Sequence, residues 1–362
     1  MPTKIPKEDF KTVFLYFNVV TELTIILLYI DISSLFSSSD SLFICLPYLR
    51  GIDLKQAELA ERLTCIEITY WMEYMKMINL PSCRPFTEVG HLSQISAYYE
   101  EERNTMWMLL RANPRPCFNL ELIENIMTLA QAARESKLPI DFWVTGSVVP
   151  HMFNVGGDLS FFAQMIKSRK RETLMAYARA CVDCVHAASR GFDTGAISIA
   201  MIEGSALGGG FEAALAHHFV LAQTTARMGF PEIAFNLFPG MGGYSLVARK
   251  SGMRVAEELI WSGESHAAEW YESRGLVDIL FQPGDAYLAT RTFIDTIRPK
   301  LNGMRAMIRT RQRVLQLTRS ELMDITEDWV DAVFSIEAKD LAYIERLVML
   351  QDRHTSTMPK AI

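Results

Sequence analysis

Two stretches of this chain repeat one arrangement, and it constrains the fold more than any other feature. The apolar run "DFWVTGSVV" is followed by "FNVGGDLSFFAQMIKS", and "AISIAMIEG" runs into "GSALGGGFEAALAHH". A short run rich in β-branched and aromatic residues, closed by a turn signal, reads as a buried strand. The apolar spacing after each glycine turn is helical, so strand, turn and helix occur twice in an α/β alternation. A helix N-terminus leaves unpaired backbone N–H groups at a positive dipole end, and two such turns brought together can hold one developing negative oxygen. Glycine lets the backbone approach closely. Phosphate loops use similar letters, but the Lys-Ser/Thr signature of a P-loop is absent.

Two carboxylates are tied to these turns. Glu212 sits in the first turn of its helix among Phe211, Ala213, Ala214 and Leu215, where burial would raise its pKa toward a value useful for proton transfer. Its structural alternative is a residue that complements the helix dipole. Glu232 lies in the proline- and glycine-marked loop of "ARMGFPEIAFNLFPGMGGYSLVARKSG". His217 and His218, at the end of the Glu212 helix, read as packing or C-terminal dipole partners rather than ligands. The lone C-x-x-C at Cys181 and Cys184, with His186 beside it, falls inside a helical pattern and has no second ligand pair for zinc, so these read as buried helix residues.

Elsewhere "LSQISAYYE" and "NTMWMLLR" read as adjacent strands joined by a polar turn at Glu101 to Asn104, and Asn119 as the N-cap of "LELIENIMTLAQAARES". With 36 basic and 42 acidic residues the net charge is −6, which excludes the basic footprint of a nucleic-acid-binding protein. Six irregularly spaced cysteines fit free thiols in a reducing cytosol. Residues 1–87 form an N-terminal extension foreign to the rest. Its stretch Val13 to Ile32 follows Lys4, Lys7 and Lys11 and nearly suffices to cross a bilayer. Glu22 in the middle makes a membrane anchor costly, so a packed segment, or an over-extended translation start, is the competing reading and a cytoplasmic location is favoured. Pro81 and Pro85 mark a linker and place a boundary near Thr87. Residues 88–284 form the core, and 285–362 read as helical.

These residues resemble the crotonase (enoyl-CoA hydratase/isomerase) superfamily. "MFNVGGDL" is similar to its first oxyanion turn, "GSALGGGFE" to its second, and "MGFPEIAFNLFPGMGG" to its glutamate loop. The resemblance implies an α/β fold: a crotonase-like spiral of β-β-α units with a C-terminal helical region, assembled as trimers or larger. It implies oxyanion donors at Met152 and Gly209, supporting turns at Gly156, Gly157, Gly208 and Gly210, and an acid–base pair of Glu212 and Glu232 in either order. The acyl pocket would include Leu207, Phe235 and Trp329. Metal and organic cofactors are not required.

Within the superfamily, "NPRPCFN", "FNVGGDLSFF", "GSALGGGFEAAL", "FNLFPGMGGYS" and "ITEDWVD" are similar to bacterial synthases of the diffusible signal factor (DSF/BDSF type), a cis-2-unsaturated fatty acid used in quorum sensing. That likeness implies dehydration of a 3-hydroxyacyl group on acyl carrier protein, then thioester hydrolysis. Val149, Pro150 and His151 stand where many CoA-using members carry a basic residue, so a CoA phosphate contact is not expected. The row Arg305, Arg309, Arg311 and Arg313 is either a solvated basic face or an attraction for an acidic carrier protein. The alternatives are an ordinary enoyl-CoA hydratase/isomerase and a crotonase scaffold that binds a sensor histidine kinase.

Overall fold

The computed structural model describes residues 83–356; the apolar run at 13–32 and the rest of the extension up to residue 82 lie outside them. The first strand falls inside the expected linker. β1 (Cys83–Pro85) pairs antiparallel with β2 (Ile95–Glu100) at one edge of a seven-stranded sheet, the one kind of strand position that tolerates proline. The expected boundary near Thr87 therefore misses a strand that belongs with the core. β2 turns through Glu101–Asn104 into β3 (Thr105–Leu110), antiparallel to it. Arg103 and Arg291 hold the fully buried Glu100, which also accepts the Trp107 indole N–H at 3.0 Å. Asn119 caps α1 (Leu120–Glu135), its Oδ1 accepting the Leu122 N–H at 2.8 Å.

From here the chain makes three similar passes. The first comprises β4 (Phe142–Ser147), β5 (Met152–Asn154), α2 (Leu159–Lys167) and α3 (Arg171–Ser189); the second β6 (Ile197–Ile202), β7 (Ser205–Leu207) and α4 (Gly209–Ala216). The third comprises β8 (Phe219–Gln223), β9 (Arg227–Gly229), a 3₁₀ turn at Pro231–Phe235, α5 (Gly243–Ser251) and α6 (Met253–Ser262). In each pass the first strand joins the large sheet, whose order is β1-β2-β3-β4-β6-β8 with Ile279–Phe281 beyond β8, and the second joins a four-stranded sheet in which β9, β7 and β5 follow Ser265–Ala267. β10 (Ser265–Ala267), α7 (Ala268–Glu272) and β11 (Ile279–Phe281) complete the sheets. This is a spiral of β-β-α units.

Period-2 alternation splits the large sheet's side chains between two cores. Trp107, Leu109, Phe142, Val144, Ile197 and Ile199 face α8 (Ala286–Ile297), while Met106, Met108 and Trp143 face α1, α3 and α4. Burial on both faces explains why these strands read as continuous apolar runs. α9 (Leu301–Val314), α10 (Arg319–Val333) and α11 (Ala338–Ser356) follow, with α10 packed on α3 and α11 on α2. Cys181 and Cys184 are buried on α3 as free thiols. Among the described residues no helix is long and apolar enough to cross a membrane, and no cluster of ligating side chains could hold a metal ion.

Candidate active site

β5 and β7 are parallel neighbours, with Met152 opposite Ser205 and Asn154 opposite Ala206. The glycine turns that follow them therefore emerge side by side. Gly156 has φ +93°, and a Cβ there would stand 2.8 Å from the Gly209 nitrogen and 3.1 Å from the Leu207 carbonyl oxygen, so neither conformation nor space admits a side chain. From the other side, a Cβ on Gly209 would stand 3.5 Å from the Gly157 nitrogen. The close backbone approach expected of these glycines is what the fold builds.

Accounting for backbone donors identifies the N–H groups left to act on a ligand. In the first turn, the Val155 N–H goes to the Pro116 carbonyl (2.8 Å), Gly156 to Asn154 Oδ1 (2.8 Å) and Asp158 to Tyr177 Oη (3.2 Å). Gly157 alone keeps its N–H without an acceptor among the described residues. In the second turn Gly208 donates to the Gly229 carbonyl, and Phe211 and Glu212 donate to that of Gly208. Gly209, the first residue of α4, has no intrahelical acceptor by geometry. The expected pairing of Met152 with Gly209 does not form: the Met152 N–H is given to the Val149 carbonyl at 3.2 Å, and its nitrogen lies against Gly204. Gly157, expected only to support the turn, takes the place beside Gly209.

The two carboxyls reach this spot by different routes. Glu212 comes up from the first turn of α4, 1% exposed, and its Oε1 accepts N–H groups from Met241 (2.9 Å) and Gly243 (2.7 Å). Burial pushes its pKa up to about 7 against the opposing pull of those two donors. Glu232 arrives because β9 is the parallel neighbour of β7: Leu207 pairs with Gly229, and the 3₁₀ turn that follows swings Glu232 over Gly208. Gly208 (φ +53°) has no room for a Cβ, which would collide with Glu232 Oε1. The residue as a whole is half-buried, yet its Oε2 is enclosed without a partner. Burial, and then the nearby Glu212 charge, push its pKa up to about 8.

The turn that holds Glu212 is itself held by α10. Thr326 Oγ1 donates to the Gly240 carbonyl at 2.7 Å, the Trp329 indole packs on Gly240, and Leu322 covers Gly242. Trp329, expected in the acyl pocket, is thus a support of this turn and also packs edge-on against Phe162 at 5.1 Å. Phe235 is buried in the 3₁₀ turn and Leu207 is half-buried at the end of β7. None of the three lines the cavity of about 30 Å³ behind α4, which is walled by Phe118, Ile126, Phe153, Cys181, Val185 and Met241 among others. Met241 separates that cavity from the glycine turns.

The remaining sequence candidates have structural employment. His217 bonds the Ala213 carbonyl through Nδ1 (2.9 Å) and Thr145 Oγ1 through Nε2 (2.8 Å); His218 Nδ1 accepts the Ser198 N–H at 2.9 Å. Burial drives their pKa values down to about 4 and about 3. Both are neutral near pH 7, so they pack rather than place a positive charge at the helix end. Burial likewise holds the Cys181 thiol up at about 12, protonated and inert. Arg305 and Arg311 turn inward to the Gly195 and His218 carbonyls, which leaves Arg309 and Arg313 as the exposed members of that row.

Residues 104–318 match the family described as enoyl-CoA hydratase/isomerase. The chain belongs to this family. Over 141 residues it is 33% identical to the peroxisomal fatty acid beta-oxidation multifunctional protein MFP2 of Arabidopsis thaliana, a match covering 38% of this chain and 19% of that protein. The chain thus spans about a fifth of that curated relative's length. Among solved structures, Pseudomonas aeruginosa DspI superposes with a TM-score of 0.55 at 23% identity, covering 73% of this chain and 98% of DspI. The enoyl-CoA hydratase of Bacillus halodurans gives 0.60 at 16% identity over 70% of this chain and 100% of that one. These likenesses show the fold.

As a member of the enoyl-CoA hydratase/isomerase family, the protein presents two N–H groups and two carboxyls with elevated pKa at one place. That set can polarise a thioester carbonyl and move protons at the neighbouring carbons. The hold of Met241 and Gly243 on Glu212 was missed from sequence, although "PGMGG" flagged their turn. Tyr177 carried no signal, since it bonds the distant backbone of Phe118 and Asp158 that only the folded chain brings near. Asn154 bonds Gly156 only two residues on, a local Asx turn, and was passed over among the louder glycines.

Proposed function

We propose that the protein dehydrates a 3-hydroxyacyl group carried on acyl carrier protein to the cis-2-enoyl group and then hydrolyses the thioester, releasing a cis-2-unsaturated fatty acid signal of the DSF type. The observation that carries the chemistry is the convergence of the Gly157 and Gly209 N–H groups with Glu212 and Glu232. The thioester oxygen sits between the two N–H groups. As the ionised carboxyl takes the proton from the carbon beside the carbonyl, charge arrives on that oxygen, and each donor there is worth about 2.7–4 kcal/mol. The electron pair then forms the C2–C3 double bond, the C3–O bond breaks, and the protonated carboxyl supplies the proton with which the hydroxyl leaves as water. In the second reaction a water oxygen bonds the carbonyl carbon, its proton passing to a carboxylate. The tetrahedral oxyanion uses the same two N–H groups, and the C–S bond breaks as the carrier thiol takes a proton.

Two carboxyls that bury close together cannot both ionise freely, and pKa values near 7 and 8 give the pair roughly one proton to share near neutral pH. That is the charge state both halves of the dehydration need. The carrier-protein reading is supported by the motif likeness and by Val149-Pro150-His151 before the first turn, where no permanent cation stands ready for a CoA phosphate. Assembly into trimers and a cytoplasmic location belong to the same proposal.

The relatives matched by sequence favour a second reading, an ordinary hydratase or isomerase acting on enoyl-CoA. Incubation with 3-hydroxydodecanoyl-carrier protein and with the matching CoA ester separates them. Free cis-2-enoic acid from the carrier substrate is the expected product by gas chromatography and mass spectrometry; trans-enoyl-CoA alone would establish the second reading.

A further inference from the structure

The oxyanion reading makes the direction of one N–H decisive, and the structure shows how that direction is set. The Gly157 N–H and the Gly156 C=O belong to one planar trans peptide unit and point in opposite directions. Anchoring the carbonyl therefore aims the N–H. The Gly156 carbonyl accepts the Phe118 N–H at 2.7 Å. Phe118 is in turn held by Tyr177, whose hydroxyl donates to the Phe118 carbonyl at 2.5 Å and accepts the Asp158 N–H at 3.2 Å. One hydroxyl thus fixes the segment that grips the peptide plane and the residue immediately after it.

The near side of the plane is fixed by Asn154. Its Oδ1 accepts the Gly156 N–H at 2.8 Å, and its backbone lies against Gly210 of the second turn. The Asn154 Nδ2 is buried without a partner among the described residues, a cost of about 1–3 kcal/mol borne by a side chain whose Oδ1 is what the turn uses. Tyr177 is fully enclosed, its ring packed against Phe161 at 5.2 Å and Phe162 at 5.5 Å. Burial raises its pKa well above the ordinary tyrosine value, so the hydroxyl keeps the proton it donates.

We propose that Tyr177 and Asn154 are positioning residues that together aim the Gly157 N–H at the substrate's carbonyl oxygen. The proposal rests on the reading of Gly157 and Gly209 as oxyanion donors, which both functional readings share. Its test therefore uses whichever acyl thioester the wild-type protein turns over, on carrier protein or on CoA.

Tyr177→Phe keeps the ring and removes only the hydroxyl. The expected result is a kcat lowered about 10-fold or more, since loss of one such donor outright costs about 10²–10³, with KM changed less than threefold and the pH profile unmoved. A thioether analogue, with methylene in place of the carbonyl, should bind wild type and variant equally, because it lacks the oxygen being aimed at. Asn154→Ala should show the same kcat loss, while Asn154→Asp, which still offers an acceptor to Gly156, should recover most of it. The Asn154 pair decides the matter if Tyr177→Phe does not fold. A kcat within twofold of wild type in Tyr177→Phe and Asn154→Ala overturns the proposal. So does a loss that extends equally to thioether binding, which would mark a general loosening. A wild type inactive on every acyl thioester would instead overturn the oxyanion reading, and the positioning role with it.

Discussion

Glu212 and Glu232 differ in what their oxygens already hold. Glu212 Oε1 is committed to two backbone donors, while Glu232 Oε2 is enclosed with none, an arrangement that costs about 1–3 kcal/mol unless a ligand completes it. Replacing either by glutamine preserves shape and removes the titratable proton. Dehydration should fall about 10²–10⁴-fold in Glu212→Gln and in Glu232→Gln alike, read as initial rate of enoyl product; retention of more than a tenth of the rate in either variant would remove that residue from the acid–base pair. The two variants should diverge in titration. The Glu212 charge is the second cause of the high Glu232 pKa, after burial. Carboxyl titration by NMR should therefore find Glu232 shifted downward from about 8 in Glu212→Gln, yet still above the ordinary glutamate value of 4.5 because burial remains.

At the scale of elements, the turn between the 3₁₀ segment and α5 transmits the position of α10 to Glu212. A Cβ added at Gly240 would stand 2.6 Å from Trp329 Cδ1, and an indole ring cannot yield there as the end of a flexible chain would. Gly240→Ala should accordingly cost about 1–3 kcal/mol of stability and lower kcat by displacing the Met241 and Gly243 donors. Trp329→Ala opens the same space, so the double variant should be less destabilised than the sum of the singles; strict additivity in urea denaturation would refute the contact. This coupling was not legible in the sequence. "ITEDWVD" and "FPGMGG" are separately conspicuous, but their packing is a contact between distant segments that periodicity cannot encode. The strands, the Asn119 cap and the glycine turns were legible because each is local: apolar run, cap side chain and glycine lie within a few residues of what they shape. Met152 was misread for the opposite reason. Its N–H is spent on Val149, and hydrogen-bond accounting needs the folded backbone. β1 was read as linker because Pro85 usually breaks a strand, and only its place at the sheet edge makes it admissible.

At the scale of the whole molecule, the buried titratable groups set how stability varies with pH. Glu212 and Glu232 have folded pKa values of about 7 and 8 against an ordinary glutamate value of 4.5. Over that interval the folded chain binds more protons than the unfolded one, so these groups make stability fall as pH rises. His217 and His218 work in the other direction: their folded values of about 4 and about 3 lie below 6.5, the unfolded chain binds the extra protons, and stability rises with pH up to that point. From pH 4.5 to 6.5 two carboxyls and two histidines oppose each other and roughly cancel. Above pH 6.5 the histidine contribution is complete while the carboxyls continue to lose protons, at up to about 1.4 kcal/mol per pH unit for each group. Lys250, lowered from 10.5 to about 8 by burial, adds a rising contribution only beyond that. Unfolding free energy from urea titrations should therefore be nearly level between pH 4.5 and 6.5 and decline toward pH 8. In the Glu212→Gln, Glu232→Gln double variant the decline should vanish, and the histidines, no longer opposed, should make stability rise with pH up to 6.5. A decline that persisted unchanged in the double variant would mean that other groups titrate there and that the carboxyl pair is not the source of the pH sensitivity.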